Sequence, residues 1–472
     1  MIPPSARFLA AIAILALPGV AVATRAMPPR LAQVMHSQGI PSSAVSIVVR
    51  DARSGETLLE LNPQLARSPA STIKVLTTFA ALEQLGPGYR WTTRAWGSVP
   101  VVDGRLAGDL VVQGGGDPFM STERWWRFAQ ALRNTGLRRI EGDIVLDRSL
   151  YALQEADPDE FDGQGYRTYN VLPDALLVNL QAAEFHVVAD GDHARVIVDP
   201  EPANLRVESA VRLDSRSCSR ASRPLGFTVF ADDPDRIRLD GYVAAPCAAV
   251  ARRVIMRAPD FAFGTFVTFW RQLGGEFSGQ LRLEPRPASA RLIAEYPSLT
   301  LGEVLPLINK HSSNVMARML LLTMASERFG APATAANGEL ALAEWLDRQG
   351  LHLPELVIDN GSGLSRRTRI SADSMARLLG VAYQSRYWPE LAASLPLGGQ
   401  DGTLQRRFVD LAGEARIRMK TGHLDQVGAI AGLVSARSGR PLTVVVLINH
   451  PGAQYGGGEA VIDTIVRWAV DR

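Results

Sequence analysis

Three short motifs in one order contain the residue types needed for acyl transfer by a serine. The first motif is Ser71-Thr72-Ile73-Lys74, the second is Ser312-Ser313-Asn314 and the third is Lys420-Thr421-Gly422. Together they supply a hydroxyl nucleophile, an amine to act as its base, a second hydroxyl with an amide, and a cation to anchor a carboxylate. None of them contains a histidine. Each motif alone is weak evidence in a chain of this length, so the prediction rests on their combination.

The first motif opens a predicted helix that continues to Leu85 and stops at Gly86-Pro87. Lys74 lies three residues after Ser71, so the two side chains face the same way. Burial and a neighbouring cation would lower the pKa of Lys74, and the neutral amine could then take the serine proton. The alternative is an ordinary helix start with Lys74 in solvent.

The second motif lies between two predicted helices, where short polar side chains can point into a cleft. Ser312 could relay a proton to a leaving amine, and Asn314 could donate its amide to the substrate. Helix capping is the alternative role for these residue types.

The third motif ends a predicted strand. Gly422 would let another backbone approach closely, as glycine in a strand often does. Lys420 would raise the local positive potential, hold a substrate carboxylate and keep Lys74 deprotonated. A solvated lysine at a strand end is the alternative.

The elements that must position these motifs fall into three blocks. A predicted hairpin (44–50 and 57–61) precedes the first helix, and residues 90–287 consist mainly of short alternating runs separated by turn formers. After residue 297 we predict helices at 299–310, 314–329, 338–349 and 371–383, strands at 416–419, 428–435 and 442–449, and a final helix at 459–471. The simplest topology is one α/β domain split by a large β-rich insertion. Consecutive independent domains would leave the opening hairpin as an isolated two-stranded sheet, which is marginally stable.

Length and composition narrow the function classes. A chain of 472 residues predicts two or three domains, and a net charge of +2 gives no reason to expect a nucleic-acid partner. Residues 1–23 are predicted to be a signal peptide, with Arg7 before an apolar stretch and Ala21-Val22-Ala23 as the cleavage site. An uncleaved membrane anchor is the alternative. No later segment has about 20 continuous apolar residues, the length needed to span a bilayer.

Cysteine and histidine usage argues against other kinds of catalysis. The two cysteines, Cys218 and Cys247, lie far from the motifs and are predicted to form a disulfide, with free buried thiols as the alternative. The seven histidines show no metal-ligand spacing, so we expect no metal and no cofactor. The glycine run at 114–116 lacks the Lys-Ser/Thr pair of a phosphate-binding loop and is predicted to be a turn.

The three motifs, together with the stretches at 360–366 and 395–404, make the sequence similar to the S13 peptidase family. These are the class C low-molecular-mass penicillin-binding proteins, which act as D-alanyl-D-alanine carboxypeptidases and endopeptidases. The long interval between Ser71 and Ser312 leaves room for the large insertion of that family. The resemblance covers nearly the whole mature chain.

The resemblance implies a fold of class α/β (α+β) with three domains. Domain I, at 24–90 and 290–472, would be a penicillin-binding, β-lactamase-like domain with a five-stranded antiparallel sheet between helices. Domain II, at 91–180 and 258–289, would be inserted in it. Domain III, at 181–257, would be a β-rich unit nested in domain II.

For the catalytic residues, the resemblance implies that Ser71 is the acylated nucleophile and Lys74 its base. Ser312 and Asn314 match the second motif of the family. Ser313 stands where aspartate is usual, but that residue is not expected to touch the substrate.

For substrate binding, the resemblance implies that Lys420 and Thr421 hold the terminal carboxylate. Gly422 completes this motif, and the backbone N–H groups of Ser71 and His423 would form the oxyanion hole. Arg366 is the candidate contact for the free end of a meso-diaminopimelate side chain, with an ordinary surface arginine as the alternative.

The predicted function is therefore that of a periplasmic serine DD-peptidase. Its partners would be peptidoglycan stem peptides and, as covalent inhibitors, β-lactams, and peripheral association with the cell wall or membrane surface is compatible with it. One alternative is a serine β-lactamase, for which Glu355 lies in the right region but Ile358 stands where asparagine is expected. The other is a non-catalytic cell-wall binding protein, which would have no reason to retain all the motif residues.

Overall fold

The computed structural model describes residues 27–152, 156–214, 225–244 and 247–472. The predicted signal peptide and Cys218 lie outside the described residues. The signal peptide and the disulfide between Cys218 and Cys247 therefore stay predictions, as do the bounds of the three domains.

The chain starts with elements of the α/β unit that contains the three motifs, which we name the catalytic unit. They are α1 (Pro29–Ser37), β1 (Val45–Asp51), β2 (Thr57–Leu61) and α2 (Lys74–Leu85). The predicted hairpin and the predicted helix after the first motif are both confirmed. Gly86, with φ of 78°, ends α2, as the glycine-proline pair indicated.

The insertion is rich in strands, as predicted, but it also contains two helices, α3 (Thr122–Asn134) and α4 (Ala258–Gln272). Its strands are β3 (Arg90–Gly97), β4 (Val101–Val102), β5 (Arg105–Leu106), β6 (Leu110–Gln113), β7 (Arg139–Ile140), β8 (Ile144–Asp147), β9 (Ala182–Asp190), β10 (His193–Asp199), β11 (Arg206–Asp214), β12 (Gly226–Phe230), β13 (Asp233–Ala244), β14 (Ala248–Val254), β15 (Glu276–Phe277), β16 (Leu281–Leu283) and β17 (Arg291–Thr300).

The final third returns to the catalytic unit. Its elements are α5 (Leu301–Lys310), α6 (Asn314–Phe329), α7 (Ala335–Arg348), α8 (Ala372–Gln384), α9 (Trp388–Ser394), β18 (Ile417–Leu424), β19 (Val427–Ser435), β20 (Pro441–Asn449) and α10 (Gly457–Val470). The predicted helices and strands are all present, and α9 was not predicted. The third motif does not end its strand, because β18 continues to Leu424 and turns directly into β19.

The two ends of the chain meet in one five-stranded antiparallel sheet of order β18-β19-β20-β1-β2. Its side chains alternate between two covered faces. Val48 and Val445 belong to the core that includes α2 and α6, whereas Ile47 and Val446 belong to the core that includes α1 and α10. Helices on both faces explain why β19 and β20 are almost wholly buried. The predicted fold, an α/β domain with a five-stranded sheet and a large β-rich insertion, is confirmed.

The insertion has its own sheets and core. A five-stranded sheet has the order β16-β8-β6-β3-β17, and two three-stranded sheets have the orders β10-β9-β14 and β11-β13-β12. Helices α3 and α4 pack together through Trp125, Phe128 and Phe266. Trp125, Phe128, Ala129 and Leu132 have helical spacing and are buried, so this sequence pattern could have predicted α3.

Helix α2 lies at the centre of the catalytic unit. Every residue from Lys74 to Leu82 is buried, and Phe79 packs edge-on against Trp345 of α7 with 5.3 Å between ring centroids. This packing fixes the start of the helix, whose first residue is Lys74 of the first motif. Among the described residues, none of the helices combines the length and apolar character required to cross a bilayer.

We expect Phe79→Ala to lower the free energy of unfolding by about 3–5 kcal/mol, because it leaves a cavity at this centre. Urea denaturation followed by tryptophan fluorescence would measure the change. Leu65→Ala is the control, since Leu65 is 49% exposed and should change stability by no more than about 0.5 kcal/mol. Equal destabilisation by both variants would contradict the central role of α2.

Candidate active site

Ser71 lies in a tight 3₁₀ turn, Ala70–Ile73, that leads into α2. The turn is constrained on both sides. Ala70 has a positive φ of 44°, which is costly for a residue with a side chain. A Cβ at Gly363 would lie 2.0 Å from the Ala70 carbonyl oxygen, so only glycine fits there. The stretch at 360–366 therefore packs directly against the backbone that presents Ser71.

Lys74 is fully buried and bonds to three oxygen atoms. Its Nζ lies 2.9 Å from Ser71 Oγ, 2.7 Å from Asn314 Oδ1 and 2.5 Å from the Ser362 carbonyl oxygen. Burial holds the pKa of Lys74 well below its usual value, and the charges of Lys420 and Arg318 lower it further. A buried amine with a depressed pKa can be neutral near neutral pH and can accept a proton.

The second motif forms the turn between α5 and α6. Ser312 has a left-handed backbone with φ of 57°, and its Oγ accepts a hydrogen bond from Lys420 Nζ at 2.9 Å. Asn314 is the first residue of α6 and is only 7% exposed. The Ser313 side chain makes no capping hydrogen bond at the start of this helix.

The third motif lies on β18 at the edge of the five-stranded sheet. Lys420 is fully buried, and burial lowers its pKa to about 7. Its Nζ also donates to the Thr421 carbonyl at 2.8 Å, and Thr421 Oγ1 bonds to Thr403 Oγ1 at 2.7 Å. Thr403 belongs to the stretch at 395–404, which runs beside β18.

Gly422 is the point where β18 meets the turn of the first motif. A Cβ there would lie 2.6 Å from the Pro69 carbonyl oxygen and 3.1 Å from the Ser71 backbone nitrogen. The predicted close approach of another backbone is thus confirmed. His423, whose backbone N–H is the second predicted oxyanion-hole donor, is the next residue of β18.

The structure brings the five predicted catalytic side chains into one cluster from three separate parts of the sequence. Lys74 bonds to Ser71 and Asn314, and Lys420 bonds to Ser312. Neither lysine is solvated, so the alternative of two ordinary surface lysines is wrong.

Arg366 and Glu355 lie outside this cluster. The Arg366 guanidinium stacks 4.5 Å above the Phe161 ring, 3.6 Å from the Asp425 carboxylate. The Phe161 ring and the Arg366 guanidinium line a cavity of about 560 Å³, and Arg318 and Asn170 also line it. Glu355 accepts a hydrogen bond from the Ser371 backbone at the start of α8.

Sequence reasoning missed three groups of the site. Arg318 lies one helical turn after Asn314, and that spacing on a predicted helix was the available signal. The carbonyl groups of Ser362 and Tyr169 accept hydrogen bonds from Lys74 and Asn314, respectively. A backbone carbonyl leaves no signal in residue type.

Among the described residues, no group of three histidine, cysteine, aspartate or glutamate side chains could hold a metal ion.

The sequence profile of the D-Ala-D-Ala carboxypeptidase 3 (S13) family matches residues 29–471. The chain belongs to this family. It is 28% identical over 435 residues to a D-alanyl-D-alanine carboxypeptidase of Actinomadura sp. (strain R39), an alignment covering 89% of this chain and 80% of that protein. It is 24% identical to the D-alanyl-D-alanine carboxypeptidase DacB of Haemophilus influenzae, with 88% and 87% of the two chains covered.

Solved structures agree on the fold. The crystal structure of penicillin binding protein 4 (dacB) from Haemophilus influenzae matches with a TM-score of 0.77 and 22% identity, covering 94% of this chain and 99% of that one. A predatory endopeptidase of Bdellovibrio bacteriovorus, solved with an immunity protein, matches with a TM-score of 0.53 and 15% identity over 91% of this chain and 94% of that one. This S13 chain therefore has the family fold as well as the family sequence.

We expect Gly422→Ala to slow acylation of Ser71 by at least about tenfold, because its Cβ would displace the Ser71 backbone. The rate of labelling by a fluorescent penicillin would measure the effect, and circular dichroism would check the fold. Gly88→Ala is the matched control, since a Cβ at Gly88 meets nothing within 4 Å. Normal labelling of the Gly422 variant would show that this contact does not position the serine.

Proposed function

We propose that this S13 family member is a periplasmic serine DD-peptidase that cleaves D-alanyl bonds of peptidoglycan through an acyl-enzyme on Ser71. The hydrogen bond between the buried Lys74 amine and Ser71 Oγ is the observation that carries the proposal. The carboxypeptidase names of the relatives support the reaction. The structure of the Haemophilus penicillin binding protein 4 complexed with a β-lactam supports binding of the same class of compound by this chain.

Acylation begins with a neutral Lys74. Its lone pair takes the Ser71 hydroxyl proton as Oγ forms a bond to the D-alanyl carbonyl carbon. The oxygen of the tetrahedral intermediate gains negative charge, and the backbone N–H groups of Ser71 and His423 are proposed to stabilise it.

The intermediate collapses when the bond between carbon and the leaving nitrogen breaks. The proton that Lys74 took from Ser71 passes to that nitrogen, with Ser312 as the proposed relay. Water then attacks the ester carbonyl as one of its protons passes to Lys74. The bond between the carbonyl carbon and Oγ breaks, and Lys74 returns the proton to Ser71, which completes hydrolysis.

Two further groups are proposed to hold the substrate. Lys420, with Thr421 beside it, would bind the terminal carboxylate, because an ammonium group pairs with an anion. Arg366 would hold the charged end of a meso-diaminopimelate side chain. Its support is its position on the cavity with Phe161 and Arg318, whose charge acts on Lys74.

The β-lactamase alternative depends on a glutamate to activate its deacylating water. Glu355, the candidate for this role, instead accepts a hydrogen bond from the Ser371 backbone at the start of α8.

Periplasmic localisation remains part of the proposal and depends on the signal sequence predicted at 1–23. Digestion of purified muropeptide monomers and cross-linked dimers, with chromatography of the products, would determine whether stem-peptide ends or cross-links are cleaved.

Ser71→Ala should abolish both D-alanine release and the penicilloyl adduct, because Thr72, the other hydroxyl of the first motif, is buried and donates to the Pro69 carbonyl. Mass spectrometry of the intact protein after incubation with benzylpenicillin measures the adduct. Ser54→Ala, in the exposed turn between β1 and β2, is the matched serine control and should react normally. Unchanged turnover in the Ser71 variant would refute the proposed function.

The acylation rate should have a bell-shaped pH dependence. The rate rises with pH as Lys74 loses its proton. It falls as the pH passes about 7, because Lys420 of the substrate-free enzyme then loses the charge that binds the substrate carboxylate. A bound carboxylate favours the charged lysine, so the basic limb of kcat should lie at higher pH than that of kcat/KM.

Steady-state release of D-alanine across the pH range measures both limbs. In Lys420→Arg the basic limb should disappear, because a guanidinium stays charged. A wild-type basic limb near 10.5, the ordinary value for lysine, would contradict the effect of burial on Lys420.

A further inference from the structure

The three partners of Lys74 differ in what they can do in a hydrogen bond. Asn314 Oδ1 and the Ser362 carbonyl oxygen can only accept, whereas the Ser71 hydroxyl can donate. A neutral amine has two hydrogen atoms and one lone pair. The two carbonyl-type oxygens take the two hydrogen atoms, so the lone pair faces the Ser71 hydroxyl.

This arrangement requires one orientation of the Asn314 side-chain amide. If the amide were reversed, its NH₂ group would face Lys74 and compete with Ser71 for the lone pair. The orientation is fixed by the other end of the amide, where Asn314 Nδ2 donates to the Tyr169 carbonyl at 3.0 Å. Reversal would place two acceptor oxygens against each other, with neither hydrogen-bonded. The second Asn314 N–H remains available for the substrate.

Tyr169 belongs to the insertion, which is separate in sequence from all three motifs. We name residues 162–170 the crossing segment, because it reaches from the insertion to the start of α6. Its end is tied together by the Asp162 carboxylate, which accepts hydrogen bonds from the Tyr169 hydroxyl at 2.8 Å, Asn170 Nδ2 at 2.7 Å and the Gln164 backbone at 3.1 Å. The bonds to Tyr169 and Asn170 hold the two residues around the carbonyl in question.

We propose that the crossing segment is a positioning element of the catalytic site. The Tyr169 carbonyl orients the Asn314 amide so that the lone pair of neutral Lys74 faces Ser71, and Asp162 holds that carbonyl in place. Asp162 is thus a positioning residue that acts through Asn314. The inference rests on the proposed function, in which Lys74 is the base and Ser71 the nucleophile.

The test uses the full mature chain and acylation by benzylpenicillin, which lacks the stem-peptide side chain and so does not report on Arg366. We expect Asp162→Ala to lower the plateau of the pH–rate profile by about tenfold, the cost of misaligned reacting groups. Asp162 is exposed, so the variant should fold. Asp162→Asn should retain the plateau within about twofold, because its amide oxygen still accepts from Gln164 and Asn170.

Asp159→Ala is the matched control. It removes a carboxylate that lies just before the crossing segment and accepts a hydrogen bond from the Gly165 backbone, and its plateau should equal that of the wild type. Three results would each overturn the inference. They are an unchanged plateau in Asp162→Ala, an equal loss in Asp162→Asn, and a shift of the acidic limb to higher pH at constant plateau. The last would mean that the segment only excludes water from Lys74.

A double variant tests whether Asp162 acts through Asn314. In an Asn314→Ala background, Asp162→Ala should cause no further loss beyond about twofold, because the positioned amide is gone. A further tenfold loss would overturn the proposed route. These outcomes are distinct from failure of the proposed function, which would appear as absence of a penicilloyl adduct on Ser71 in the wild-type protein.

Discussion

The burial of the Lys74 amine is the constraint on which the rest of the site depends. A charged ammonium out of water is costly, and the group responds by losing its proton when no anion compensates it. The described neighbours of Lys74 include two further cations, Lys420 and Arg318, and neutral oxygen acceptors. The surroundings therefore favour the base form while still giving the amine hydrogen-bond partners. A carboxylate in place of Asn314 would remove this balance by stabilising the charged form.

The fold supplies the rigidity that such a buried amine requires. Ser71 lies in the turn just before α2, and Lys74 is the first residue of α2. This helix is buried on all sides from Lys74 to Leu82. Ser312 and Lys420 come from the α5–α6 turn and from β18. The β18 strand is joined to the first hairpin through β19, β20 and β1, so the beginning and end of the chain are fixed in one sheet. Positive φ values at Ala70 and Ser312 show that the surrounding packing holds both motif turns in costly backbone conformations.

The sequence was informative where the chemistry depends on residue type. The chain has only three lysines, Lys74, Lys310 and Lys420, and an arginine cannot serve as a base because it does not lose its proton. Two of the three lysines therefore stood out in the motifs. Apolar runs bounded by turn residues predicted the strands of the five-stranded sheet, because strands covered on both faces, such as β19 and β20, are apolar along most of their length. Helices α3 and α4 were missed within a block read as β-rich, although Trp125 and Phe128 carried a helical pattern.

Contacts made by backbone groups could not be predicted from the sequence, because every residue type has the same carbonyl group. The Ser362 and Tyr169 carbonyls complete the hydrogen bonding of Lys74 and Asn314, yet any residue at 362 or 169 would carry the same carbonyl. The substitution of serine for the usual aspartate at Ser313 shows the converse. Its side chain makes no capping bond, while its backbone N–H donates to the Ile308 carbonyl and closes the turn. A motif position can therefore change its side chain freely where only its backbone is used, whereas Asn314 cannot, because both ends of its amide are engaged.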